Sequence, residues 1–103
     1  MTEAGVPIQG FDWDDANRRK IESRDGITVA LVESVFEIGP WVRQTDHAHS
    51  AREPRFLVAG ADSTGRAMIV IFTLRLRDGC LLIRPISARR MHRKEEAGYE
   101  KEA

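Results

Sequence analysis

The chain has 103 residues, 42% hydrophobic and 31% charged, and its 16 basic and 16 acidic residues balance to a formal net charge of zero. This length supports one hydrophobic core, so we expect a single domain over residues 1–103. No run of about 20 apolar residues could span a membrane and the start lacks a signal peptide, so we expect a cytoplasmic protein without a membrane partner. The lone cysteine, Cys80, excludes an internal disulfide.

The N-terminal half predicts two helices. In the segment GFDWDDANRRKIESRDGIT, Asp12 or Asp14 can cap the first free amides, and Gly26 can close the helix in the left-handed conformation. In TVALVESVFEIGP, apolar residues recur at helical spacing between an N-cap at Thr28 and a stop at Gly39. The second helix is therefore expected to be the main cover of the core.

The remainder of the chain predicts a meander of strands. After a short possible strand, WVRQT, and a polar loop come the runs RFLVAGAD, RAMIVIFTLRLR and CLLIRPIS, separated by the turn signals STG and DG. Pro85 in the last run indicates an edge strand or a bulge, and the polar tail favours a helix except at Gly98. We therefore predict an α+β fold, a small antiparallel sheet (a three-stranded meander plus short edge strands) with two N-terminal helices on one face and a C-terminal helix.

The two turns also predict the strand register. A two-residue turn at Asp78-Gly79 pairs Arg77 with Cys80, Arg75 with Leu82, Thr73 with Arg84 and Ile71 with Ile86. A three-residue loop with Gly65 in the left-handed position pairs Val58 with Val70 and Phe56 with Phe72. Because strand side chains alternate, one face is then wholly apolar. Its expected members are Phe56, Val58, Met68, Val70, Phe72, Leu74, Leu76, Leu81 and Ile83.

The opposite face gathers arginines near Thr73, namely Arg55, Arg75 and Arg84. Arginine suits phosphate, because its planar fork can make two parallel hydrogen bonds. A purely structural alternative requires carboxylate partners, such as Glu53 or the glutamates of the tail, and surface ion pairs of that kind are commonplace. The basic surface would be extended by Arg89, Arg90, Arg93 and Lys94.

A series of short motifs follows one another along the chain: FDWDDA, VFEIGP, DHAHSAREPRF, GR, VIFTLR, IRPISARR and RKEEAGYE. In order and spacing they resemble BrnT-type toxins, the ribonuclease half of a bacterial type II toxin–antitoxin pair. The third motif fits the family pattern D-x-x-H-S-x-x-E-x-R-[FY] through Asp46, His49, Ser50, Glu53, Arg55 and Phe56.

The resemblance implies a RelE-like fold and a toxin that cleaves RNA without a cofactor and inhibits translation. It also implies a cognate ribbon-helix-helix antitoxin, through which alone the pair would contact operator DNA. The chain departs from the family pattern at Asn17, usually lysine, at Ile21, usually asparagine, and at Asp25, usually histidine. A catalytically weak or inactive protein that binds the antitoxin or RNA is therefore the alternative.

Metal-independent RNA cleavage needs a proton acceptor, a proton donor and cations that stabilise the transition state. We assign the cationic role to Arg55, Arg75 and Arg84, and we expect His49, oriented by Glu53, to be the base or acid. His47 and His92 are weaker candidates, and for each histidine a surface position without a catalytic role is the alternative. DHAHS could also supply metal ligands, but it lacks a distant partner ligand, so we expect no metal. Tyr99 could stack on a base or pack its ring against the sheet.

Overall fold

The computed structural model describes residues 2–3, 6–40, 42–45 and 53–102. Within these residues the chain forms six strands and three helices. The strands are β1 (Thr2–Glu3), β2 (Val6–Phe11), β3 (Val42–Thr45), β4 (Phe56–Ala61), β5 (Ala67–Arg77) and β6 (Cys80–Arg90). The helices are α1 (Asp15–Glu22), α2 (Val29–Ile38) and α3 (Arg93–Glu102).

The strands form one sheet in the order β1-β2-β6-β5-β4-β3. The expected meander of β4, β5 and β6 is confirmed, and WVRQT supplies the edge strand β3. The expectation of a small, purely antiparallel sheet was wrong, because β2 to β6 form a five-stranded sheet that the short β1 extends at its edge, and β2 runs parallel to β6, with Ile8 opposite Leu81 and Phe11 opposite Ile83. No local sequence pattern predicts a parallel pair of strands, because the two strands lie far apart in sequence.

Turn chemistry decides the register of both hairpins. Asp78 and Gly79 have φ of 52° and 79°, the left-handed values that a two-residue turn between twisted strands requires. Every predicted pair from Arg77 with Cys80 to Thr73 with Arg84 is present. The predicted pairs of β4 with β5 are also confirmed.

The register fails at one predicted pair. Ile71 lies opposite Ser87 and not Ile86, because a bulge separates Ile71 from Phe72, which pairs with Pro85. Proline has no amide hydrogen to donate to the ladder, so the strand accommodates it with an irregularity. The predicted bulge is therefore confirmed, whereas β6 lies inside the sheet and is not an edge strand.

The helix caps largely follow the sequence. Asp14 caps α1 in a capping box with Asn17, and Thr28 caps α2 by accepting a hydrogen bond from the Leu31 amide at 3.2 Å. The expected closure of α1 at Gly26 was wrong, because the helix ends at Glu22 and Gly26 lies in the connection that follows. The C-terminal helix α3 also continues through Gly98.

The core lies between the predicted apolar face of the sheet and the helices α1 and α2. Val58, Val70 and Phe72 of the sheet are at most 3% exposed and belong to the same buried cluster as Ile21 of α1 and Val35 of α2. The two N-terminal helices therefore cover one face, as predicted.

The prediction was wrong at the tip of the β5–β6 hairpin. Leu76 is 71% exposed, and its partner Leu81 is only half-buried. The hairpin extends beyond the end of β4, whose pairing with β5 begins at Phe72. A strand pattern predicts which face a side chain occupies but not how far the covering helices reach.

Candidate active site

The face of β5 opposite the core brings two of the three predicted arginines, Arg75 and Arg84, together. Thr73 and Arg84 are direct partners on adjacent strands, and Arg75 follows Thr73 on the same face. Arg75 and Arg84 are thus diagonal neighbours, a relationship that typically separates positions by about 7–8 Å. Thr73 is 1% exposed, and its hydroxyl donates to the Pro54 carbonyl at 2.7 Å, which ties the segment before β4 to this surface.

Arg84 is held by two carboxylates from the connection between β2 and α1. Its Nη1 lies 3.0 Å from Asp14 Oδ2 and 3.5 Å from Asp12 Oδ2, and its side chain is only 14% exposed. The Asp14 carboxylate accepts hydrogen bonds from Arg84 and from the backbone amide of Asn17, and both lower its pKa. The bond between Arg84 and Asp14 also raises the pKa of Arg84. Arg84 is therefore a fixed positive charge in a largely enclosed position.

Asp12 joins two arginines at the end of β2. Its carboxylate accepts a hydrogen bond from Arg77 Nε at 2.9 Å, and its amide donates to the Ile83 carbonyl at 2.8 Å. Sequence reasoning missed these contacts, because it considered Asp12 and Asp14 only as helix caps. The sequence signal for these contacts is the acidic run that directly follows β2, but the sequence did not predict β2 as a strand.

Arg75 is more accessible than Arg84. It contacts Glu53 at 3.3 Å, and the two side chains are 39% and 41% exposed. Among the described residues, Arg75 Nε is buried without a hydrogen-bond partner. Arg55 is half-buried just before β4, next to the Pro54 carbonyl that Thr73 binds.

The carboxylates required by a structural alternative are present. Glu53 pairs with Arg75 as expected, but the acids at Arg84 come from the N-terminal connection and not from the tail. The surface is therefore a network of paired charges, and a phosphate group would have to compete with carboxylates for the arginines.

Arg89 and Arg90 of β6 also have carboxylate partners. Arg89 donates to both oxygens of Glu95, at 2.9 and 2.8 Å, and these bonds, with one from the His92 amide, lower the pKa of Glu95 to about 2. The bond to Glu95, with a smaller contribution from Tyr99, raises the pKa of Arg89.

Arg90 binds the carboxylate of Asp62 at the opposite hairpin. Burial by itself raises the pKa of Asp62, but hydrogen bonds from Thr64 and Arg90 outweigh it and lower the pKa. Arg93 and Lys94 are exposed on α3, and Tyr99 is half-buried.

The predicted acid–base residue, His49, and the weaker candidate His47 belong to residues 46–52, which lie outside the described part of the chain. His92 is described and exposed at the start of α3, and it lines a cavity with Arg24 and Asp25.

The positions that depart from the family pattern have defined environments. Ile21 is completely buried in the core, and Asn17 is 5% exposed and hydrogen-bonded. Asp25 is exposed in the connection between α1 and α2. Two of the three positions are thus structural in this chain.

The described residues contain no group of three histidine, cysteine, aspartate or glutamate side chains that could hold a metal ion, and DHAHS lies outside them. None of the described helices combines the length and apolar character that a membrane crossing requires.

Comparison with known proteins defines the class. The family model described as ribonuclease toxin, BrnT, of type II toxin-antitoxin system matches residues 13–95, which is most of the chain. A type II toxin of this class has an antitoxin as its partner. The chain belongs to the BrnT family of ribonuclease toxins. No match was found among curated proteins.

Proposed function

We propose that this chain is a metal-independent endoribonuclease that inhibits translation and is neutralised by a ribbon-helix-helix antitoxin. The observation that carries the proposal is the placement of Arg75 and Arg84 as diagonal neighbours on the sheet face opposite the core. Family membership supports ribonuclease activity, and the arginines supply the chemistry that such activity needs.

In the proposed reaction, the 2′-oxygen of RNA attacks the adjacent phosphorus and the bond to the 5′-oxygen breaks. A base removes the 2′-hydroxyl proton, and an acid returns a proton to the leaving 5′-oxygen. Between these two proton transfers, negative charge develops on the phosphate oxygens, and guanidinium groups stabilise that charge. Arg75, Arg84 and Arg55 have that role, His49 is the proposed base or acid, and Glu53 orients it.

The two best-placed arginines differ in what they can do. Arg75 and Glu53 form a half-exposed pair, which contributes little to stability and can open at small cost. Arg84 is mostly enclosed and held by two carboxylates, so its guanidinium group is fixed in position. We infer that Arg75 exchanges Glu53 for a substrate phosphate while Arg84 stays in place.

The proposed antitoxin acts through the same surface. An acidic segment of a ribbon-helix-helix protein would satisfy the arginines electrostatically and exclude RNA. Operator DNA would then be contacted only by the antitoxin half of the complex. The meander with helices on one face supports the further proposal that the fold is RelE-like.

We expect Arg75→Ala and Arg84→Ala each to lower the rate of RNA cleavage by about 100-fold, the typical cost of losing one transition-state donor. The measurement is cleavage of a labelled RNA by purified protein in the presence of EDTA. Arg66→Ala, an exposed arginine at the opposite hairpin, is the control and should cleave at the original rate.

Circular dichroism of each variant separates lost chemistry from lost folding. Arg75→Ala keeps the test valid if Arg84→Ala fails to fold, because the Arg75 pair is half-exposed. Unchanged cleavage by the double variant would refute the site, and cleavage abolished by EDTA would refute metal independence.

A second candidate function is a catalytically weak or inactive BrnT-like protein that binds only the antitoxin or RNA. The ion pairs that occupy Arg75, Arg77 and Arg84 favour it, because they give these arginines a structural purpose. Induced expression without the antitoxin distinguishes the two candidates. An active toxin arrests growth and degrades RNA, whereas a binding module does neither.

A further inference from the structure

Two adjoining cavities lie beside the end of β6. The smaller, of about 110 Å³, is lined by Arg24, Leu57, Ile69, Ile71, Ser87 and Arg89. The larger, of about 360 Å³, is lined by Arg24, Asp25, Ile27, Arg89, Arg90 and His92. Because Arg24 and Arg89 border both, the cavities form one cleft with an apolar part and a basic part, which we call the β6 cleft.

The apolar part of the β6 cleft lies on the sheet face that carries Arg75. Ile69, Ile71, Thr73 and Arg75 alternate with the core residues of β5 and therefore share one face. At the usual rise of a strand, Ile71 and Arg75 are roughly 13 Å apart. Thr73, between them, is 1% exposed beneath the Pro54 segment, so a single strand of RNA that reaches both Arg75 and the β6 cleft would pass over that segment.

The chemistry of the β6 cleft suits a nucleotide. Leu57 and Ile71 are half-buried and offer an apolar surface to a flat base, with the 4% exposed Ile69 beneath them, and the Ser87 hydroxyl can hydrogen-bond a base edge. Arg89 is fixed by its two bonds to Glu95, so its guanidinium plane is already ordered for stacking.

The basic part of the cleft suits the phosphate that accompanies the base. Arg24 and His92 are exposed there, and Asp25 is the one acidic residue among the lining residues given above. An apolar protein side chain could fill the apolar part, but it would leave the Arg24 guanidinium without an anionic partner, so RNA is the better match.

We propose that the β6 cleft is a nucleotide-binding subsite for single-stranded RNA, with a base in the smaller cavity and its phosphate in the larger. The subsite rests on the proposed ribonuclease function, since the same RNA would be cut at Arg75 and Arg84. It adds residues that the motifs did not assign to RNA, above all Arg24, Ile71 and Ser87, and it makes them determinants of which sequence is bound.

The test uses a tetranucleotide with a 2′-O-methyl group on every ribose, which lacks the hydroxyl needed for attack. Its titration into the full chain is followed by the NMR signals of the isoleucine methyl groups. We expect the Ile69 and Ile71 methyl signals to shift, and Arg24→Ala to weaken binding about tenfold or more, the loss typical of a hydrogen bond between charged groups. Arg18→Ala, an exposed arginine on α1, is the matched control and should bind as before.

The outcomes separate this proposal from the proposed function. Shifts at Ile69 and Ile71 with weakened binding by Arg24→Ala support the subsite even if the protein cleaves no RNA. Binding of the tetranucleotide without those shifts would overturn the subsite and leave cleavage at Arg75 and Arg84 untouched. Shifts caused by the antitoxin but by none of several tetranucleotide sequences would identify the β6 cleft as a protein interface and would also overturn the proposal.

Discussion

Asn17, which departs from the family pattern, contacts the proline of the β6 bulge, Pro85. The side-chain amide of Asn17 donates through Nδ2 to the Pro85 carbonyl at 3.0 Å and to the Asp12 carbonyl at 2.9 Å. Asn17 Oδ1 accepts a hydrogen bond from the Asp14 amide at 2.8 Å. Asn17 therefore joins the start of α1 to the bulge at Pro85 in β6, and we infer that the two residues are structurally coupled.

Replacing Asn17 tests this coupling. We expect Asn17→Ala to lower the free energy of unfolding by about 1–3 kcal/mol, because it leaves buried carbonyl groups without a donor. The measurement is urea unfolding followed by circular dichroism. Arg18→Ala, at the neighbouring exposed position, should change stability by less than about 0.5 kcal/mol. Equal stability of the two variants would contradict a structural role for Asn17.

At the scale of elements, α3 is attached to β6 by a charged contact. Arg89 and Glu95 form a two-pronged hydrogen-bonded pair, and the His92 amide also donates to Glu95 at 3.1 Å. Both interactions favour the ionised carboxylate, which is why the pKa of Glu95 falls to about 2. The position of α3, and of Arg89 in the β6 cleft, therefore depends on the ionisation of Glu95.

The pH dependence of folding follows from that pKa. A lowered pKa in the folded state adds stability that is fully present above the ordinary value of 4.5 and is lost as the pH falls toward 2. We expect Glu95→Gln to be less stable than the original chain at pH 7, and the difference to shrink through this window. The measurement is chemical unfolding at several pH values, with Glu100→Gln on the same helix as the control. A difference that stays constant from pH 7 to pH 2 would contradict the pair.

At the scale of the whole molecule, one core joins the meander to the first two helices. Phe72 of β5 is 3% exposed and packs edge-on against Phe36 of α2, with ring centroids 5.2 Å apart. It also contacts Phe56 of β4, at 5.5 Å. In this aromatic cluster, α2 and the sheet bury each other's side chains.

We expect Phe72→Ala to lower the free energy of unfolding by about 3–5 kcal/mol, because it opens a cavity that the surrounding side chains cannot fill. Leu76→Ala is the matched control, since Leu76 lies on the same face of the same strand but is 71% exposed. Thermal and urea unfolding should show a much larger loss of stability for Phe72→Ala than for Leu76→Ala. A mild effect of Phe72→Ala would mean that the core is not organised around this face.

Local chemistry made much of this fold predictable. Asp78-Gly79 and Gly65 define tight turns, and turn geometry together with strand alternation placed Arg75, Thr73 and Arg84 correctly. Pro85 signalled the bulge but not its exact consequence, because a missing amide hydrogen predicts an irregularity without specifying which neighbour loses its partner.

The sequence by itself determined the hairpins, the second helix, the apolar face and the likeness to a toxin family, because each depends on neighbouring residues or on ordered motifs. The tertiary structure decided the parallel pairing of β2 with β6, the carboxylates that hold Arg84, and the meeting of Arg24 with Arg89 in the β6 cleft. Those contacts join segments distant in the chain, and no local periodicity or turn connects them. They form only when the shared core brings the two ends of the sequence together.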